Sequence, residues 1–101
     1  MQEYLLGIDA GTSGVKAIVM DTAGVICGSG YQECDVIAPR PSWAEQRPAD
    51  WWAACDGAVR QAVAASGVGR RIAGIGLSGQ MQGSVLLRRD GTVADTCMIW
   101  M

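Results

Sequence analysis

Three features of the sequence predict an α/β fold. Two strand-length apolar segments flank a cluster of small residues, a proline opens a stretch of helical periodicity, and a further apolar strand follows that stretch. Tyr4 to Ala10 and Val15 to Asp21 are the first two segments, and Gly11-Thr12-Ser13-Gly14 between them supports a tight hairpin turn. Asp21-Thr22-Ala23-Gly24 is a second turn signal, after which Val25 to Glu33 reads as a third strand loosened by Gly28 and Gly30. The expected start is a three-stranded antiparallel meander.

From Ala38 to Pro48 the sequence turns polar and proline-rich, as expected of an irregular connection running over the surface. Pro48 suits a first helical turn and Asp50 complements its positive end, while Trp52, Cys55, Val59, Ala62 and Val63 recur at helical spacing. These signals predict a helix over 48–65, with Gly67 as its stop. Trp51 and Trp52 are expected to pack against a core. Ile72 to Leu77 and Gly83 to Leu87 read as two more strands, and Arg89-Asp90-Gly91-Thr92 as a turn. The strand after the helix can lie parallel to the first across a right-handed crossover.

A chain of 101 residues allows one small domain with a modest core. Half of the residues are hydrophobic and 18% are charged, a balance that excludes a disordered polymer. The formal net charge of −2 and the absence of any Lys/Arg run exclude non-specific attraction to nucleic acid or to an anionic membrane. No apolar run approaches the roughly 18 residues needed to span a bilayer, and Glu3 near the start is foreign to a signal peptide. The chain is therefore expected to be soluble and cytoplasmic. Cys27, Cys34, Cys55 and Cys97 form no CxxC pair, and histidine is absent, so the usual zinc patterns are missing. The four thiols are expected to be reduced and to serve as small buried hydrophobes.

The sharpest chemical signal is Gly7-Ile8-Asp9-Ala10-Gly11-Thr12-Ser13-Gly14-Val15-Lys16, where a carboxylate ends a strand and small residues follow. Glycines let a backbone approach phosphate closely, Thr12 and Ser13 can donate hydrogen bonds, and Asp9 can hold Mg²⁺ directly or through water. Lys16 adds a positive charge just past the turn. The competing reading is an ordinary hairpin turn with a solvated lysine. GxxxxGK[ST] does not occur. A literal GxGxxG stands at Gly74, Gly76 and Gly79, with Asp95 further on, but Gln80-Met81-Gln82-Gly83 continues toward a strand where a dinucleotide site requires a helix. Trp43 and Glu45 either shape the edge of a cleft or form a surface staple before the helix.

In order, DAGTSGVK, SWAEQRPADWW, GIGLSGQMQGSVLL and MIWM resemble the successive segments of the FGGY carbohydrate kinases, the xylulokinase branch above all. The resemblance implies part of a ribonuclease-H-like (actin-like ATPase) domain, the N-terminal piece of one lobe of two, with ATP and sugar meeting between the lobes. It implies that residues 1–101 are an incomplete domain of a longer enzyme transferring the γ-phosphoryl group of ATP, with Mg²⁺, to a pentulose or related polyol. By position, Asp9 matches the Mg²⁺-associated acid, Gly11, Thr12 and Ser13 the phosphate loop, and Lys16 the basic residue after it. Gln80, Met81, Gln82 and Gly83 match the segment touching the sugar, and Trp100 a tryptophan lining the sugar pocket. Xylulokinases usually read Gln-Met-His-Gly, so Gln82 departs from the pattern, and Arg47 stands where Asp is common. The catalytic base is implied to lie in a later segment. A homodimer is left open, and the alternative function is a non-catalytic actin-like module that binds nucleotide or docks a protein.

Overall fold

The computed structural model describes residues 2–94 and 96–101. Asp95, the acidic residue of the dinucleotide-like pattern, lies outside the described residues. Strands β1 (Tyr4–Ala10), β2 (Gly14–Asp21) and β3 (Ile26–Glu33) form the expected meander. Helix α1 (Pro48–Ser66) leads through a short 3₁₀ turn (Gly69–Arg71) into β5 (Ile72–Gly79). The four-stranded sheet has the order β3-β2-β1-β5, with β5 parallel to β1. A second, two-stranded sheet pairs β4 (Glu45–Gln46) with β6 (Cys97–Met98).

The core lies between α1 and one face of the larger sheet. Val15, Ala17 and Val19 of β2, with Tyr4 and Leu6 of β1, alternate toward Ala54, Ala58 and Ala62 of the helix. Small helical residues bring α1 close to the sheet, and Gly28 and Gly30 of β3 make that approach sterically feasible. A Cβ at Gly30 would lie 2.2 Å from the Ala58 carbonyl oxygen, and one at Gly28 would lie 2.5 Å from that of Ala62. The two glycines therefore form a seat for the helix, a role more specific than loosening a strand. Gly67 ends α1 in the left-handed region at φ 69°, its N–H donating to the Val63 carbonyl at 3.1 Å.

Three expectations are corrected by these contacts. Because the buried helical stripe is built on alanines, with Trp51, Cys55, Val59 and Val63 beside it, Trp52 falls on the outer face and is 77% exposed. Cys27 is also exposed, while Cys34 and Cys97 are buried and Cys55 is half-buried; all four are free thiols. Gly83 to Leu87 is not a strand. It makes only isolated bridges, Ser84 with Met98 and Leu87 with Val93, and the apolar side chains of Val85, Leu86 and Leu87 remain exposed. Apolar composition alone does not make a strand where no continuous ladder satisfies the backbone.

Among the described residues, no helix is long and apolar enough to cross a membrane.

Candidate nucleotide and sugar site

Side chains alternate along β1. Tyr4, Leu6, Ile8 and Ala10 join the core, so Asp9 projects from the opposite face of the sheet. Asp9 stands opposite Lys16 on β2 and Ser78 on β5. Both Asp9 and Lys16 are exposed. The chain then leaves β1 through Gly11, Thr12 and Ser13, closed by a hydrogen bond of 3.0 Å from the Gly11 N–H to the Gly14 carbonyl.

Parallel pairing of β1 with β5 carries the second segment to the same end of the sheet. Ala10 pairs with Gly79, and the Gln80 N–H continues the ladder by donating to the Ala10 carbonyl at 3.0 Å. The β4/β6 pair brings in the third segment, since Gln46 stands opposite Cys97 and the Ile99 N–H donates to the Ala44 carbonyl at 3.0 Å. Trp100 is thereby held over the hairpin, its indole Nε1 donating to Thr12 Oγ1 at 2.8 Å.

The result is a cavity of about 430 Å³ between the first hairpin and residues some 70 positions later. Asp9, Gly11 and Thr12 line one side, and Gln80, Met81, Gln82 and Trp100 line the other. Seven of the sequence-selected residues therefore share one space. Ser13, Lys16 and Gly83 do not line it. Ser13 accepts from the Cys34 N–H through its carbonyl at 2.9 Å. Lys16 lies with Asp9 beside a second, more apolar cavity of about 480 Å³ that includes Ile18, Ile26 and Leu77. Gly83 joins Trp51 and Cys97 in a third of about 330 Å³. Asp9 thus stands on the divide between the first two cavities.

Gln82 has a backbone φ of 61°, in the left-handed region that side chains other than glycine seldom occupy. Such strain at the rim of a cavity is typical of residues placed for contact with a ligand. Trp43 is half exposed and Glu45 lies in β4; both border a small hollow with Met98 and Ile99. Arg47 occupies the N-cap of α1 without a side-chain cap hydrogen bond, and sits 3.8 Å from Asp50. Its place is at the start of the helix.

Sequence reasoning missed Gln46. It is the one buried polar residue among the described residues, with 0% exposure. Its Nε2 donates to the Thr12 carbonyl at 2.7 Å, and its Oε1 accepts from Trp51 Nε1 at 2.9 Å and from Gln80 Nε2 at 2.7 Å. The signal available was weak: a glutamine between Glu45 and Arg47, just before a helix, reads as solvated.

No group of three or more Cys, Asp or Glu side chains gathers into a metal cage among the described residues. Asp9 nonetheless fits Mg²⁺. That ion is usually held by one or two carboxylates together with phosphate and water, and Asp9 is an exposed carboxylate facing a cavity large enough to admit both. The three glycines of the dinucleotide-like pattern all lie within or at the end of β5, and among the described residues no helix follows Gly79.

Comparison with known proteins agrees with this architecture. The description "FGGY family of carbohydrate kinases, N-terminal domain" matches residues 4–101. A xylulose kinase of Klebsiella pneumoniae is 40% identical over 95 residues, which cover 94% of this chain and 20% of the relative. A glycerol kinase of Paracidovorax citrulli is 35% identical over 99 residues, covering 96% of this chain and 20% of the relative. The crystal structure of a "xyloylose kinase" from Brucella ovis superposes with a TM-score of 0.91 at 44% identity, covering 97% of this chain and 20% of that one. The chain thus spans about a fifth of the length of the relatives it matches. Its α/β plan is that of a ribonuclease-H-like, actin-like ATPase domain. The chain belongs to the FGGY family of carbohydrate kinases.

Proposed function

We propose that this chain is the N-terminal part of the first lobe of an ATP-dependent sugar kinase, supplying its phosphate-facing hairpin and part of its sugar pocket. The observation that carries the reading is the shared cavity, where Asp9, Gly11 and Thr12 face Gln80, Met81, Gln82 and Trp100. A nucleotide and a sugar must meet within bonding distance for phosphoryl transfer, and placing both recognition segments around one space provides that proximity.

Each residue has a role in this reading. The open turn at Gly11 and Thr12 leaves backbone close to the cavity, where it can approach a phosphate. Ser13 and Lys16 flank that turn, and Lys16 contributes positive charge near Asp9. Asp9 would hold Mg²⁺, and the ion would neutralise charge on the phosphate oxygens. Gln80 and Gln82 offer both donors and acceptors to sugar hydroxyls, while Met81 and Trp100 give the apolar surface against which a sugar ring or carbon chain packs. Gly83 lies at the end of this segment. The base that receives the proton of the attacking hydroxyl is assigned to the part of the protein beyond these 101 residues.

The proposed acceptor is a pentulose such as xylulose, since xylulose kinases are prominent among the relatives. Glycerol kinases also match, which makes polyols the comparison set. The test is a coupled ADP-release assay on the full-length protein with MgATP and a panel of ketopentoses and polyols. ATP-dependent phosphorylation of a ketopentose, with higher kcat/KM than for glycerol, is expected. Turnover of glycerol alone would overturn the acceptor, and no turnover of any sugar or polyol would overturn the kinase reading.

A further inference from the structure

We propose that Gln46 is a positioning residue, which fixes the direction of a hydrogen-bond chain running from Trp51 through Gln80 and Thr12 to Trp100 and so sets how Gln80 and Trp100 face the cavity. The inference rests on the kinase reading for its functional consequence, but its geometry stands independently.

The direction of the chain follows from which partners can only donate and which can only accept. An indole N–H only donates, so Trp51 Nε1, at 2.9 Å, must meet the oxygen of the Gln46 amide. A backbone carbonyl only accepts, so the Gln46 nitrogen must face the Thr12 carbonyl at 2.7 Å. With both ends of its amide thus determined, Gln46 presents only Oε1 to Gln80. Gln80 must answer with its own nitrogen, at 2.7 Å, which turns Gln80 Oε1 toward the Thr12 hydroxyl. At the far end Trp100, again a pure donor, gives its proton to Thr12 Oγ1 at 2.8 Å. The Thr12 hydroxyl then directs its own proton to Gln80 Oε1 at 3.3 Å. Every link has one allowed direction.

Two consequences follow. Thr12 is committed through its hydroxyl to Gln80 and Trp100, so its share in phosphate contact falls to the backbone. And Gln46, which does not line the cavity, ties the hairpin backbone to the side chain of a residue that does. Burial excludes water as a substitute partner, which makes the arrangement costly to reverse.

Gln46→Glu tests this, because protonation of the new side chain restores the donor that Gln46 supplies to Thr12, and the uncharged Gln46→Met separates loss of that donor from the effect of a buried charge. A carboxylate can accept from Trp51 and Gln80 but faces the Thr12 carbonyl with a second acceptor. A protonated carboxyl restores the donor, and burial raises its pKa. The three hydrogen-bond partners are uncharged, while Glu45 and Arg47 flank position 46 and Asp9 shares the cavity with Trp100, so the wild type titrated in parallel separates their response from that of the new group. The first readout is the indole N–H resonance of Trp100 in the ¹H–¹⁵N spectrum, which requires no enzymatic activity. It is expected to shift in the variant at pH 8 and to return toward the wild-type position as the pH falls. The second is kinetic, in the full-length protein: KM for the sugar should rise about tenfold at pH 8, the scale of one buried hydrogen bond, with KM for ATP within about twofold. The sugar defect should shrink on acidification in Gln46→Glu and persist at all pH values in Gln46→Met.

An unshifted Trp100 resonance would overturn the chain. A shifted resonance with unchanged sugar KM would overturn its positioning role. Equal, pH-independent defects in both variants would reduce Gln46 to a packing residue. If the wild type phosphorylates nothing, the kinase reading fails, while the Trp100 resonance still decides whether Gln46 directs the chain.

Discussion

Replacing Gly30 by alanine tests the packing on which the site is built. The added Cβ would lie 2.2 Å from the Ala58 carbonyl oxygen, 2.6 Å from the Gln61 Cβ and 3.0 Å from the Ala62 nitrogen. Two of these neighbours are helix backbone and cannot rotate away. Reaching an ordinary contact of about 3.4 Å requires α1 to retreat by roughly 1.2 Å, and overpacking of that kind costs about 1–3 kcal/mol. For a domain near this size each kcal/mol lowers Tm by about 4–8 °C, so the expected loss is about 4–24 °C. Gly57→Ala is the control. It lies in the same helix, but its Cβ meets only the flexible Gln32 side chain at 3.4 Å, so alanine's better helix propensity should stabilise by about 0.5–1 kcal/mol. Thermal unfolding followed by far-UV circular dichroism measures both variants. A Gly30→Ala chain that melts with or above the wild type would refute the idea that β3 is a glycine seat for the helix.

Other outcomes follow from individual residues. Burial, reinforced by the Asp50 and Asp35 carboxylates, raises the Cys34 thiol above its ordinary range, so iodoacetamide at pH 8 should label exposed Cys27 at least about tenfold faster, as read by mass spectrometry. The folded state holds the Cys34 proton more tightly than the unfolded chain does. The associated stability is complete below the ordinary thiol range and is lost as the pH rises through the raised value, and a melt whose Cys34-dependent part improves with rising pH would contradict this. Gln82→His should change the relative kcat/KM among ketopentoses and polyols more than it changes KM for ATP, without loss of Tm, since histidine tolerates the 61° backbone angle at least as well as glutamine. The isolated 101-residue chain should self-associate on size-exclusion chromatography, because β5 is an edge strand with Ile75 63% and Leu77 78% exposed.

Much of the fold was legible because local chemistry and tertiary structure agree. The small-residue turn, the proline at the start of α1 and the left-handed glycine at its end are local signals, and all three elements fall within a residue or two of where the sequence places them. Errors arose where tertiary context decides. Trp52 satisfies helical spacing for a large hydrophobe, but a helix seated on glycines selects alanine for its inner face, so Cys55, Val59, Ala62 and Val63 of the expected stripe face the core and Trp52 turns outward. Val85 to Leu87 has strand composition without a strand partner. Gln46 was invisible for the converse reason: nothing in Glu45-Gln46-Arg47 marks the middle residue as buried, and only the pairing of β4 with β6, some 50 residues apart, turns it inward. Of the candidate site, the residues that line the cavity were legible as motifs. Their convergence depended on the parallel β1/β5 register, which the crossover pattern implied, and on β6, which it did not.

The most direct test of the central claim, that the cavity beside Asp9 is where phosphoryl transfer takes place, is kcat of Asp9→Asn in the full-length protein. Asparagine keeps the size and hydrogen-bonding capacity of a turn-adjacent residue while removing the charge, so the β1/β2 hairpin should persist. Loss of one electrostatic group acting on the transition state typically costs about 10²–10³ in kcat. The expected result is a fall in kcat of at least about 100-fold, with sugar affinity nearly unchanged and the circular dichroism spectrum intact. A well-folded Asp9→Asn enzyme with near-normal kcat would contradict the claim, leaving Asp9 as a turn residue at the end of β1.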